Sequence, residues 1–388
     1  MNSTDKRKIL ISCAYFLAFL LLGATEAAIG PSLPSLAERA GTSLKGISLL
    51  FITQKAGYLL GSLFGGRLYD RLKAHILLGT VILGMGLGLF LVPLAPGLVP
   101  LLCIIFLVGL SQSTLDVGGN VLLVWINPPK VNSMMNTLHL FFGLGAFISP
   151  LILAASLRFS GGITRGFWIL AAAVVPAALF VFRLPSPVRP EEEKSERKPA
   201  AEPRLVILIS LFFFLLVAAE AAYGSWIYTY ALTKNYADSV SAGYMTSAYW
   251  GALTLGRFTA IFLSLRIQPK LLIGLSLAFA LIGLFLLVSL PGSVSLVWAV
   301  TLITGFSLGP LFASGITFAS GHMRMTGSTT GIFLVGASVG GMILPWGIGQ
   351  FFESRGPGVM PLSIFITTAV TLALFGIILA AVRNRRLT

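Results

Sequence analysis

Long, uninterrupted apolar runs decide the fold class of this chain. A helix needs about 20 mostly apolar residues to cross the hydrocarbon of a bilayer. Twelve such stretches can be marked, at roughly 9–30, 46–66, 75–94, 98–126, 133–157, 165–184, 205–232, 240–265, 270–290, 294–320, 327–351 and 358–382. Membrane-barrel strands take about 10 residues and alternate in polarity, so these runs are too long and too uniform for a barrel. Backbone N–H and C=O groups in lipid must bond within their own segment, which leaves the helix. Composition agrees: 56% of the 388 residues are apolar, 10% are charged, and mean hydropathy is +0.91. Soluble domains carry about 25% charged residues. The expected fold is an all-α membrane protein with twelve transmembrane helices.

The net charge of +14 would suggest nucleic-acid binding in a soluble protein. Here its placement argues otherwise. Lys and Arg gather at Lys6, Arg7 and Lys8, at Arg67, Arg71 and Lys73, in the 183–204 segment, and at Arg383, Arg385 and Arg386. All of these fall on the side of the N-terminus if the spans alternate. The opposite side holds only Arg39, Lys45, Arg158, Arg165, Lys234 and Arg355. This is a positive-inside bias, predicting both termini in the cytoplasm and a plasma-membrane protein. No nucleic-acid surface is expected. Cys13 and Cys103 fall inside spans and read as lipid- or helix-packed thiols, not a disulfide. The first span is too long in its apolar run for a cleaved signal.

Between spans six and seven the composition changes. Pro185 to Pro203 encloses a run of Glu, Lys and Arg, a polar linker. The expected organisation is a six-helix bundle over 1–184, a linker over 185–204 and a second bundle over 205–388. The bundles echo one another. Gly61 and Gly256, Arg71 and Arg266, Gly145 and Gly340, and Pro150 and Pro345 are each 195 residues apart. Glu26 and Glu220 sit in the similar strings ATEAA and AAEAA. Such repeats point to two pseudo-symmetric bundles that rock about a central site.

After span two the chain reads Gly66-Arg67-Leu68-Tyr69-Asp70-Arg71-Leu72-Lys73. This resembles the signature loop of the major facilitator superfamily. Lys73 replaces a usual glycine, and Ala74-His75 replace two usual basic residues. Gly256-Arg257 through Arg266 to Lys270 reads as a degenerate second copy. The loop's resemblance implies that Gly66, Asp70 and Arg71 form a conformational latch, with Asp70 at a helix N-terminus. Asp116-Val117-Gly118-Gly119-Asn120 in span four and Asn136 through Pro150 in span five are similar to the fucose-permease-like and sodium-dependent glucose transporter-like branch. That resemblance implies sugar substrates moved with protons or sodium.

Ionisable groups inside spans are expensive, about 2.5–3.5 kcal/mol each on insertion scales, and usually face a partner or a wet cavity. Asp116 and Asn120 are one turn apart on one face and offer oxygen ligands for a proton or cation. Lys55, beside Gln54 in span two, needs an acid, with Asp116 and Glu26 as candidates. Glu26 is placed in the outer third of span one, and Glu220 near the middle of span seven. Asp116, Glu26 and Lys55 are the expected ion-coupling set. Glu26, Gln54, Lys55, Asn120, Asn136, His139, Glu220, Trp226 and Tyr249 are the expected substrate-binding set, aromatic faces being suited to sugar rings.

No GxxxxGK[ST] string is present, so transport must draw on gradients. The expected function is a secondary transporter of a small polar solute, a sugar first, coupled to protons or sodium. Exporters and flippases of amphipathic compounds are the alternative. The three histidines do not cluster as an enzyme would need, so no catalytic residue, no metal site and no cofactor beyond a coupling sodium is expected. The protein is expected to act as a monomer.

Overall fold

The computed structural model describes residues 3–127, 131–187, 202–290, 292–323 and 325–385. Most of the expected linker, with 188–201, lies outside these residues, as does Arg386 of the charge bias. The described residues are helical, and no strand occurs among them.

The helices follow the apolar runs. In chain order the spans are Ser3–Arg39, Leu49–Arg71, Ala74–Leu91, Leu98–Ile126, Val131–Ser160, Thr164–Arg183, Pro203–Thr233, Ser239–Leu263, Pro269–Ser289, a broken pair Val294–Leu308 and Leu311–His322, Gly327–Arg355 and Val359–Arg385. Eleven are apolar and long enough to cross a membrane by length and composition. The twelfth, Ser239–Leu263, has 25 residues but carries Ser, Thr, Tyr and Arg along its length. The break in span ten falls at Pro310, which lacks the N–H that would continue the ladder.

Two boundaries correct the sequence reading. Span one runs on through Pro31 and Pro34 to Arg39. Glu26 therefore lies near the middle of the Arg7–Arg39 apolar helix, not in its outer third. Span two continues to Arg71, so Gly66, Arg67, Asp70 and Arg71 are helical and the connection to span three is only Leu72 and Lys73. Asp70 stands in a C-terminal turn, not at a helix N-terminus. The partial negative charge of that end favours Arg71 over a carboxylate.

Contacts divide the chain into two compact units. The first is Met1–Glu193 with Ser239–Ser247, and the second is Lys194–Asp238 with Ala248–Thr388. In the first, span one packs on span five, two on four, and three on six. In the second, span seven packs on eleven and twelve, and nine on ten and twelve.

The repeated glycines are contact points. A methyl group on Gly145 would overlap the Leu20 carbonyl, and one on Gly340 the Phe214 carbonyl. Gly61 and Gly256 meet the Leu110 and Phe306 carbonyls in the same way. Small residues let helix backbones touch, which is the main attraction available when lipid is as apolar as the side chains. Gly145→Ala and Gly340→Ala are each expected to cost about 1–3 kcal/mol as the helices are forced apart. Gly376→Ala, with open space at its Cβ, should be neutral. Melting temperatures in detergent check this; equal melting for all three variants would refute it.

Candidate functional site

Three helices of the first unit supply one polar network. Four-residue spacing puts Gln112, Asp116 and Asn120 on a single stripe of span four. Gln54, Lys55 and Tyr58 share a face of span two by the same rule. Gly109 packs directly against the main chain of Gln54, so spans two and four touch at this level. Glu26 completes the group from span one.

The Glu26 carboxylate accepts from three side chains. Lys55 Nζ lies 2.5 Å from Oε1, and Gln54 Nε2 and Gln112 Nε2 lie 3.2 and 3.3 Å from Oε2. Gln54 also donates to Gln112 Oε1 at 2.8 Å, which closes the ring. The structure thus settles the partner of Lys55 as Glu26. Both side chains keep some exposure, 17% for Lys55 and 22% for Glu26.

Asp116 is bound differently. Tyr58 donates its hydroxyl to Oδ2. Asn120 Nδ2 donates to Oδ1 and to the main-chain carbonyl of Asp116, each at 2.8 Å. Lys55 and His139 both act on Asp116 electrostatically. Lys55 Nζ also sits 5.2 Å from the centre of the Tyr58 ring. Lys55 is therefore bonded to Glu26 and also attracted by Asp116. Protonation of Glu26 removes the anion to which it is bonded, whereas protonation of Asp116 leaves that bond in place.

In the second unit the matching feature is simpler. Arg257 Nη2 lies 2.8 Å from Glu220 Oε1. Tyr249 donates its hydroxyl to the main-chain carbonyl of Glu220 at 2.8 Å and stacks on Tyr223 with centroids 4.8 Å apart. Trp226 donates to the Pro345 carbonyl at 2.8 Å and stacks on Phe352 at 4.8 Å.

The expected residues thus divide. Glu26, Gln54, Lys55, Asp116 and Asn120 come together. Trp226 and Tyr249, expected to line a binding site, are fully buried, with their polar atoms bonded to main-chain carbonyls. Their surface goes into helix packing. His139 is exposed and meets Phe19 edge-on at 5.8 Å, and Asn136 one turn earlier is also exposed. Asp70 and Arg71 are exposed at the end of span two, and Gly66 has open space at its Cβ. Cys13 and Cys103 are free. Two network members, Tyr58 and Gln112, went unnoticed in the sequence. The signal was present: Tyr58 follows Gln54 by four residues, and Gln112 precedes Asp116 by four. No cluster of three or more His, Cys, Asp or Glu side chains suited to a metal occurs among the described residues.

Twelve membrane-spanning helices in two units, with half-buried ion pairs and a polar network at mid-span, define a multi-pass membrane transporter fold. The profile of the Major Facilitator Superfamily matches residues 15–345, and the chain belongs to that family of transporters. It is 29% identical to sodium-dependent glucose transporter 1A of Mus musculus, over 86% of this chain and 88% of that protein. It is 29% identical to sodium-dependent glucose transporter 1 of Xenopus laevis, over 83% of this chain and 72% of that protein. Among solved structures, the nucleoside transporter NupG superposes with a TM-score of 0.78 at 15% identity, covering 96% of this chain and 99% of that one. A bacterial homologue of the human lysosomal transporter Spinster, inward-facing and occupied, superposes with a TM-score of 0.77, covering 96% of each chain. These two likenesses speak to the fold alone.

Lys55→Met removes the strongest donor to Glu26 and is expected to cost about 1–3 kcal/mol, the range for a hydrogen bond to a charged group. Glu26→Gln with Lys55→Met should recover most of that loss, because no charge is then left unpaired. A double-mutant cycle on thermal melting measures the coupling; strict additivity would show that the pair adds nothing.

Proposed function

We propose that this protein is a secondary active transporter that moves a small polar solute, a sugar before others, by alternating access coupled to protons. The observation that carries the reading is the network around Asp116 and Glu26. It places two carboxylates and one shared lysine inside the membrane spans, where unpaired charge is costly. The sugar assignment draws on the glucose transporters among its relatives. It also suits the chemistry of the half-buried Asn120 and Tyr58, whose amide and hydroxyl match sugar hydroxyls. Charge balance argues against an anionic solute. Lys55 is neutralised by Glu26 and Arg257 by Glu220, which leaves no free cation for an anionic substrate in this set.

A proton is favoured over sodium by the direction of the hydrogen bonds. The groups bonded to both carboxylates are N–H and O–H donors, which hold the ionised form and occupy the places where a sodium ion would need oxygens. Sodium requires a shell of oxygen acceptors. The second reading is sodium coupling, favoured by the names of the relatives. The positive-inside charge bias supports a plasma-membrane protein with both termini cytoplasmic. The expected working unit is the monomer.

The test is reconstitution into vesicles, with uptake of a sugar panel that includes D-glucose under imposed proton or sodium gradients. A proton gradient is expected to drive accumulation. Asp116→Asn should cut that accumulation by about tenfold or more while leaving sugar exchange in place, since the titrating group supplies the differential binding on which coupling rests. Accumulation driven by sodium alone would select the second reading. No response to either gradient would defeat both.

A further inference from the structure

One buried histidine takes no part in the network above. His75 is the second residue of span three and is 1% exposed. Each of its polar groups is engaged by another segment. Nε2 lies 2.7 Å from the Tyr15 hydroxyl of span one. Nδ1 lies 3.0 Å from the main-chain carbonyl of Leu184, just past span six. Its main-chain N–H donates to Ser186 Oγ at 3.1 Å. The Tyr15 ring meets the imidazole edge-on at 5.7 Å.

These partners fix the tautomer. A carbonyl only accepts, so Nδ1 carries the hydrogen, and in the neutral ring Nε2 accepts from the Tyr15 hydroxyl. The neutral imidazole satisfies all three segments at once. A second proton makes Nε2 a donor too, facing a hydroxyl that already points its hydrogen there. Tyr15 is fully buried, and its displaced hydrogen must find another acceptor at a cost. The groups bonded to the ring are neutral. Around them, Tyr69 of span two acts on Tyr15 electrostatically. Asp70, Arg71 and Lys73 lie in the chain just before His75, Arg183 just before Leu184, and span four ends nearby in the untitratable Leu123–Ile126.

We propose that His75 is a positioning residue: its neutral imidazole holds the start of span three to span one and to the chain leaving span six, so that these ends move as one in the transport cycle, and a second proton on the ring releases them. The link to transport rests on the function proposed above. The tie itself does not, and it can be read without any substrate.

Leu184 contributes its main-chain carbonyl while its side chain is buried, so Leu184→Cys keeps the bond and reports its opening. In a chain with Cys13→Ser and Cys103→Ser, maleimide labelling of that thiol is measured in vesicles and normalised to free cysteine at the same pH. Labelling is expected to be slow at about pH 7.5 and faster at about pH 4.5, well below the ordinary histidine range, because the buried ring facing a hydroxyl donor resists a second proton. His75→Phe and Tyr15→Phe should each raise the rate about three- to tenfold at the higher pH, the effect of losing an ordinary hydrogen bond. His75→Gln, whose amide supplies one donor and one acceptor but takes no proton, should keep the parent's slow rate of the higher pH at both pH values. Tyr15→Phe guards against a folding defect in His75→Phe. Phe variants that label at the parent rate, a Gln variant as fast as His75→Phe, or a parent rate that ignores pH would overturn the proposal.

Discussion

The mid-span polar network of the first unit is built on the Lys55–Glu26 ion pair. An ammonium and a carboxylate cannot be left alone in hydrocarbon, so spans one and two must be placed to let them meet. Once they meet, Gln54 and Gln112 fill the second carboxylate oxygen, and that draws in span four. The pair therefore specifies three helix positions, not two. A buried pair is weak evidence of stability, because desolvation offsets much of the attraction. Its use here is geometric: it puts Lys55 where a second carboxylate, Asp116, also feels it.

The two units share a scaffold but not a chemistry. Gly109 packs under the Gln54 carbonyl, and Gly305, 196 residues later, packs under the Tyr249 carbonyl. The backbone contact is the same, yet the side chains differ. At the 195-residue offset, Gln54 and Lys55 of the first unit correspond to Tyr249 and Trp250 of the second. An amide and an ammonium have become two aromatic rings that pack edge-on at 5.4 Å. The cation of the second unit has moved along the helix to Arg257, where it reaches Glu220. No counterpart of the Asp116 arrangement accompanies it among the interactions described. The repeat preserves what backbone packing needs and keeps one ion pair in each unit, but only in the first does a second carboxylate, Asp116, stand with it among the interactions described.

The fold was legible because its main signal is one-dimensional. A run of apolar residues long enough to cross lipid is a helix whatever it packs against. Two features escaped that logic. Span one passes Pro31 and Pro34 because prolines do not stop a helix whose freed carbonyls find other partners. Span two continues through polar residues to Arg71 because helices do not end where the hydrocarbon does. The site was legible in part. Charged residues inside spans stand out, and Glu26, Lys55 and Asp116 did. Tyr58 and Gln112 are common residue types, visible only once the stripe through Asp116 is drawn. Trp226 and Tyr249 were misplaced because an aromatic residue reads alike whether it lines a site or packs. Which it does depends on the neighbours its N–H or O–H can reach, and here those are main-chain carbonyls.

The network also suggests how one proton could be felt across three helices. On the proposed reading, the proton arrives at Asp116. An ionised Asp116 accepts from Tyr58 and Asn120 and attracts Lys55. A protonated one becomes a donor, and the Tyr58 hydroxyl can reverse and accept without moving far. Contact between spans two and four thus survives the change. What weakens is the pull of Asp116 on Lys55, which then belongs wholly to Glu26. The proton would shift the balance between conformations only by the difference in this pull between them. On that reading Lys55 is the residue through which protonation on span four is transmitted to span one.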